Sequence, residues 1–231
     1  MQKLFPLKRT EVDGLIFRYL RSEPPHNPDQ FSAQGIEFHH MIRDISGEVA
    51  LDIGANIGSY TLHLARRFHS VTAFEPSKVH CKILRLNVRL NRLDNVRVEE
   101  AALSDVEGEM PLYIRRSGAT SLDPSHYGLK FDRVYTVKVA KLDNFQSLFK
   151  QLDFVKIDAE NLEYRIMKGG MELISRFHPI LAVEVHRDTV PSGPFCGCDT
   201  CDLIRSLGYR VAVIGKFSSV GEVHWVWASP G

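Results

Sequence analysis

The sequence predicts an α/β protein built on one doubly wound, mostly parallel sheet with helices on both faces. Three observations carry that reading. Val49 to Glu75 runs as a short apolar stretch, a glycine-rich turn, an amphipathic stretch and a second apolar stretch ending in an acid. That is the unit that holds a nucleoside against the carboxyl ends of parallel strands. Short apolar runs alternate with helix-period segments through most of the chain, with no internal repeat or low-complexity tract. The 231 residues suffice for one sizeable α/β core and are short for two domains.

In chain order, residues 1–33 are expected to form an N-terminal cap over a ligand cleft, and residues 34–231 the main domain. Within the cap, Leu15, Phe17 and Tyr19 alternate as in a strand or hairpin, ahead of the turn-rich Pro24-Pro25-His26-Asn27-Pro28. Gln34 to Ile45 has helical spacing; His39 and His40 lie on it and receive no assigned role. The first strand, Val49 to Ile53, holds one acid, Asp52, and closes on Gly54. A helix follows on Ile57, Tyr60, Thr61, Leu64, Ala65 and Phe68. Val71 to Phe74 is the second strand. Ser77 caps a helix striped by Val79, Ile83, Leu86 and Leu90, on which Cys81 reads as a small core residue. Val96 to Leu103 reads as a third strand, and Met110–Arg116 and Arg133–Val139 as strands flanking a polar loop. Leu142–Leu152 reads as a short helix and Asp153–Ile157 as a fourth sheet strand. A helix stops at Gly169-Gly170, and Ile180–Val185 is the fifth strand. Helix Cys201–Leu207 and strands Tyr209–Ile214 and Glu222–Ala228 complete the chain.

The turn selects the ligand. Gly54 permits a sharp reversal and Gly58 a close approach of the first helical turn. Asn56 and Ile57 stand where a dinucleotide fingerprint would place glycine, and the phosphate-loop pattern is absent too. Asp52 ahead of the first glycine suits a ligand carrying an ammonium group and no phosphate. Glu75, followed by Pro76, lies 21 residues after Gly54, where an acid accepts from ribose hydroxyls. S-adenosylmethionine fits these requirements. Ala102 falls where a sheet of this kind faces the adenine. Asp105 either accepts from the exocyclic amine or merely begins the Glu107-Gly108 turn.

A formal net charge of +1, with 44% hydrophobic and 25% charged residues, gives no overall electrostatic case for nucleic acid or an acidic membrane. The N-terminal MQKLFPLKRTEVDG lacks a signal-peptide core, so a cytoplasmic enzyme is the expectation.

The segments LDIGANIGSYTLHLA, TAFEPS, AALSDVEG, DFVKIDAENLEYRIMKGG and PILAVEVH together resemble the FkbM family of S-adenosylmethionine-dependent methyltransferases. The resemblance runs from Gln34 to the C-terminus. It implies a Rossmann-like class I methyltransferase fold, with seven strands in the order 3-2-1-4-5-7-6 and the seventh antiparallel. It also implies methylation of hydroxyl groups, on sugars or polyketide-like metabolites. Asn161 stands where the family pattern Asp-x-Glu-Gly has glycine, which alters the allowed backbone there.

Methyl transfer needs a proton acceptor near the attacking oxygen. Lys156, Asp158 and Glu160 alternate at the end of the fourth strand, and Glu184 and His186 at the end of the fifth. Extended strands put each set on one face, about 4.8 Å from the next strand. His186 or Asp158 is the expected general base, with Glu160 orienting the acceptor or helping to hold Mg²⁺. Lys156 is either a base lowered by burial or, the favoured reading, a countercharge to Asp158 or Glu184. Cys196, Cys198 and Cys201 fall within six residues and offer thiolates to zinc, with His186 or another histidine completing the set. The opposing reading is a lid with unliganded thiols. Two further functions compete. An RNA 2′-hydroxyl acceptor would draw on Arg85, Arg89, Arg92 and Arg97 as a local basic patch. A non-catalytic scaffold would keep only the cofactor site.

Overall fold

The structure is a computed structural model describing residues 7–21, 25, 33–114, 120–122, 131–187, 197–217 and 222–231. It begins with a hairpin, β1 (Lys8–Val12) and β2 (Leu15–Tyr19), closed by Asp13 and Gly14, both at positive φ. Helix α1 (Ala33–Asp44) leads to β3 (Gly47–Ile53), α2 (Thr61–Ala65), β4 (Phe68–Phe74), α3 (Lys78–Leu90) and β5 (Val96–Glu99). Three strands follow, β6 (Ala102–Leu103), β7 (Gly108–Ile114) and β8 (Thr120–Ser121), then β9 (Arg133–Ala140) and a 3-10 segment, Leu142–Leu148. The last third holds β10 (Phe154–Ile157), α4 (Glu163–Lys168), α5 (Met171–Phe177), β11 (Ile180–Arg187), α6 (Asp199–Ser206), β12 (Tyr209–Phe217) and β13 (Glu222–Pro230).

The main sheet has the order β12-β13-β11-β10-β3-β4-β5. Counting only its own strands along the chain, from the β5 edge, this reads 3-2-1-4-5-7-6. β13 runs antiparallel to both β11 and β12, and the remaining pairs are parallel. The interior strands are buried on both faces, so apolar residues alternate between two cores. Leu51, Ile53, Val155, Ile157, Leu181 and Val183 pack toward α4, α5 and α6. Ala50, Phe154 and Ala182 face the opposite layer, where Phe38 and Ile42 of α1 and Leu64 of α2 lie. Asp52, Lys156, Glu184 and His186 share the parity of this second set. The sheet therefore carries its charges toward the α1/α2 layer, at the carboxyl ends of the strands.

Several expectations are corrected. The third strand ends at Glu99; Ala102–Leu103 belongs to a separate four-stranded sheet, β6-β9-β7-β8. The helix after the glycine turn is only Thr61–Ala65, because Phe68 already starts β4. The helical segment Leu142–Leu152 shortens to the 3-10 turn. Helix α4 stops at Gly169-Gly170 as expected, and a further helix, α5, starts directly after it. A Cβ on Gly169 would lie 2.1 Å from the Ser104 carbonyl oxygen, so glycine lets the joint pass beneath β6. The hairpin packs on α3 instead of over the cleft. Asn87 of α3 accepts from the Arg18 N–H and donates to the Arg18 carbonyl, and Asn91 at the C-cap of α3 does the same with Ile16. The segments 1–6, 22–24 and 26–32 of the expected cap lie outside the described residues. No helix among the described residues is long and apolar enough to cross a membrane.

Candidate active site

A cavity of about 210 Å³ opens at the carboxyl ends of β3, β4, β10 and β11. One water needs only ~10–15 Å³ by this measure, so the space is ligand-sized. Its lining includes Gly54, Asn56, Tyr60, Glu75, Pro76 and Ala102 at one end, and Lys156, Asp158, Glu160 and Glu184 at the other.

The first end is organised by backbone. Gly54 has φ +76°, and a Cβ there would lie 1.7 Å from the Asp158 carbonyl oxygen. Only glycine lets the tips of β3 and β10 pass this closely. Asn56, at φ 49°, also sits in the left-handed region, which asparagine tolerates better than most residues. The Glu75 carboxylate accepts from the Asn56 N–H at 2.8 Å and the Ser77 N–H at 2.9 Å. A carboxylate has about four acceptor sites, so capacity remains for hydroxyls in the cavity it lines. Beneath it, the Cys81 thiol donates to the Glu75 carbonyl, and burial and then the Glu75 charge push that thiol up to about 12. It is an inert core thiol.

Three residues expected around the cofactor lie elsewhere. Asp52 is fully buried below the cavity, accepting from the Thr61 hydroxyl at 2.6 Å and pairing with Lys156 at 3.2 Å. Its charge answers an internal lysine and not a ligand ammonium. Gly58 makes room for packing: a Cβ would meet Leu84 at 2.4 Å and Leu62 at 2.7 Å. Asp105 accepts from Arg165 at 2.7 Å and Lys168 at 3.4 Å, tying the loop after β6 to α4 outside the cavity lining.

The second end is organised by side-chain charge. Lys156 is 2% exposed; its ammonium donates to the Gly54 carbonyl at 3.1 Å and lies 3.5 Å from Asp158 and 5.0 Å from the Tyr60 ring centre. Burial would lower its pKa, but Asp52 and Asp158 outweigh that and raise it. Lys156 is therefore a fixed cation, the countercharge reading. His186 is buried, with Nδ1 3.0 Å from Glu163 and Nε2 3.8 Å from both Glu160 and Glu184. Burial again opposes the charge, and Glu163, Glu184 and Glu160 together hold the imidazolium well above 6.5. A histidine kept protonated is a poor proton acceptor, and His186 is absent from the described lining. Glu184 is pushed up to about 8, first by burial and then by Asp158.

Glu163 is the residue that sequence reasoning missed. It is 2% exposed and accepts from the Ala159 N–H at 3.1 Å and the Asn161 N–H at 3.3 Å, besides holding His186. It thereby clamps a turn in which Glu160 (φ 52°) and Asn161 (φ 80°) are both left-handed. This corrects the idea that Glu160 continues the extended face of β10, since that strand ends at Ile157. It also explains the missing family glycine, because Asn161 adopts the conformation glycine would take. The only sequence signal for Glu163 was an acid in the first turn of a helix.

Donor atoms of Asp158, Glu184 and His186 lie within 4.8 Å of one another. The Lys156 ammonium already lies 3.5 Å from Asp158, and the His186 ring 3.8 Å from Glu184. Farther along the sheet, Cys198 and Cys201 meet His224 and not His186; Cys196 lies outside the described residues.

The sequence matches the methyltransferase FkbM domain over residues 52–211. It is 29% identical over 187 residues to the tRNA/tmRNA (uracil-C(5))-methyltransferase of Marinomonas sp. (strain MWYL1), covering 77% of this chain and 49% of that protein. It is 26% identical over 186 residues to the methyltransferase sdnD of Sordaria araneosa, covering 78% of this chain and 63% of that one. The chain thus spans between 49% and 63% of the length of these curated relatives. Among solved structures, the FkbM methyltransferase from Methylobacillus flagellatus KT aligns with a TM-score of 0.53 at 17% identity, covering 78% of this chain and 43% of that one. M. jannaschii TYW2, in complex with AdoMet, gives 0.53 at 16% identity, covering 99% and 87%. At these identities the structural likeness speaks for the fold. With more than half of its residues matched to the family, the chain belongs to the methyltransferase FkbM domain family.

Proposed function

We propose that this chain is an S-adenosylmethionine-dependent methyltransferase acting on a hydroxyl group of a small molecule, a sugar or polyketide-like metabolite. One observation carries the reading. The cavity is lined by three carboxylates, Glu75, Asp158 and Glu160, by the neutral acid Glu184, and by a single lysine already paired below with Asp52. Such a lining suits a sulfonium and its ammonium group and disfavours a pyrophosphate.

The residues present fit that cofactor. Glu75, fixed by two backbone donors, would accept the ribose hydroxyls, with Pro76 and Ala102 against the nucleoside and Gly54 and Asn56 beneath it. When bound, S-adenosylmethionine supplies an activated methyl group, and the group-transfer chemistry is its own. What the protein adds is positioning and a place for one proton. Asp158 faces the cavity beside the Lys156 ammonium and is the proton acceptor for the substrate hydroxyl. Glu184, protonated at neutral pH by its raised pKa, donates a hydrogen bond to the acceptor and so orients it. Glu160, held in place as Ser121 donates to its carbonyl at 2.8 Å, lines the acceptor side.

The curated RNA-modifying relative favours a second acceptor class, a nucleotide of RNA. Against it, two of the four arginines of that local patch are partly offset, Arg85 by Glu100 at 3.6 Å and Arg97 by Glu99, and the formal net charge is only +1. Phosphate recognition would need such cations to be available. The test is transfer of radiolabelled methyl from S-adenosylmethionine to a panel of hydroxyl-bearing sugars and polyketides, beside total tRNA. Label in a small hydroxyl acceptor and none in tRNA is expected; label in tRNA alone would overturn the proposal.

A further inference from the structure

The geometry points to a zinc site formed by Cys198, Cys201 and His224, at the far side of β11 from the proposed methyl-transfer cavity. The three residues come from two elements, α6 and β13, that pack in one apolar core through Ile204, Val226 and Ala228. Cys198 is the N-cap of α6, Cys201 lies on its first turn, and His224 projects from β13. Cys201 and His224 are both fully buried. The His224 Nε2 atom lies 3.6 Å from the Cys198 sulfur and 3.8 Å from the Cys201 sulfur, and all three donor atoms fall within 4.8 Å of one another. Zn–S bonds of ~2.3 Å and Zn–N bonds of ~2.0–2.1 Å set at tetrahedral angles separate sulfur from nitrogen by about 3.5 Å. Both sulfur–nitrogen distances are therefore close to those of a zinc tetrahedron, which would leave one position for water or a further donor.

Two details support thiolate ligands over a packed pair of thiols. The Cys201 N–H donates to the Cys198 sulfur at 3.5 Å, a helix N-cap contact that a deprotonated, metal-bound sulfur would accept more strongly. Both sulfurs also converge on one nitrogen of one imidazole, and a neutral histidine ligates through a single ring nitrogen. Zinc binding would release the thiol protons to solvent.

The site's place gives it a purpose. His224 is paired in register with Val185, and the adjacent Val223 with His186. A zinc ion would pin the start of α6 to β13 and brace the strand end that presents Glu184 and His186. It stands apart from the identity of the methyl acceptor, so failure of the proposed function would leave it untouched.

The experiment measures zinc by mass spectrometry in protein purified without chelator, then follows cobalt(II) substitution by absorbance. The Cys198→Ser variant is the most informative, because serine also caps helices well and keeps the fold. His224→Ala is the second variant. The expected result is one zinc per wild-type chain and an intense thiolate-to-cobalt band. Both variants should lose the metal and the band, and chelation should lower the melting temperature of the wild type but not of Cys198→Ser. Wild-type protein that takes up no zinc, zinc retained by both variants, or a Cys198–Cys201 disulfide in the purified protein would each overturn the site.

Discussion

The two ends of the cavity are built by different means. At the β3/β4 end, the Glu75 carboxylate is fixed by N–H groups of Asn56 and Ser77, close to it in sequence. At the β10/β11 end, Lys156 is balanced by Asp52, about a hundred residues earlier, and His186 by Glu163 on a separate helix. The first arrangement depends on backbone shape and the second on charge compensation across strands. Substitutions should therefore fail differently: by steric collision at one end, by uncompensated buried charge at the other.

Gly54 is the seam where both ends meet, so Gly54→Ala should have the largest effect. A Cβ cannot occupy a point 1.7 Å from the Asp158 carbonyl, and the residue's φ of +76° adds strain. A loss of about 4 kcal/mol or more in urea unfolding is expected. Stability within about 1 kcal/mol of wild type would mean that β3 and β10 do not approach as described.

Next comes Lys156→Met, which strands Asp52 as a buried charge. The expected cost is about 3–5 kcal/mol, with much of it recovered in the double variant Lys156→Met/Asp52→Asn. Additive losses from the two substitutions would show that the pair is not coupled.

The third effect is a pH slope. Glu184 and His186 both have folded pKa values raised above their unfolded ones, so the native state holds more protons than the unfolded chain. Stability from Glu184 is present below its ordinary carboxylate value and is lost as pH rises toward about 8. The contribution of His186 is complete below 6.5 and disappears as pH climbs through its higher folded value. His63 opposes this at lower pH, since burial and then Arg43 lower it to about 4. It is neutral in both states above 6.5, so the window from about 6.5 to 8 is the clean one. Wild-type stability should fall there, by at most about 1.4 kcal/mol per pH unit for each extra proton held. Glu184→Gln should flatten the fall, and a wild-type slope of the opposite sign would refute the charge assignments.

The smallest expected effect is at Asn161. With φ of 80°, Asn161→Gly should change stability by less than about 1 kcal/mol, whereas Asn161→Val should lose more than that. Equal outcomes for glycine and valine would argue that the turn after β10 is not left-handed.

The same contrast explains what the sequence could reveal. Glu75 and the glycine turn were legible because their partners lie within one βαβ unit, where spacing stands in for geometry. Asp52 looked like a ligand-facing acid because nothing local announces that Lys156 will pair beside it; that fact belongs to the register of β3 against β10. His186 looked like a base for a similar reason. Its three carboxylate neighbours come from two other segments and from its own strand, and together they keep it charged. The cysteine cluster could be seen, but its histidine could not. His224 reaches it only through the antiparallel return of β13, and that depends on the whole sheet being assembled.

The central claim is that a sulfonium nucleoside lies across the tips of β3 and β4 with its sugar held by Glu75. Calorimetric titration of S-adenosylhomocysteine into wild type and Glu75→Gln tests it most directly, since glutamine keeps the side-chain shape while losing the charge and half the acceptor oxygens. The account predicts saturable binding at one site per chain, weakened by roughly tenfold or more in the variant, the cost of a lost charged hydrogen bond. Equal affinity in the two proteins, or no binding to the wild type, would contradict it.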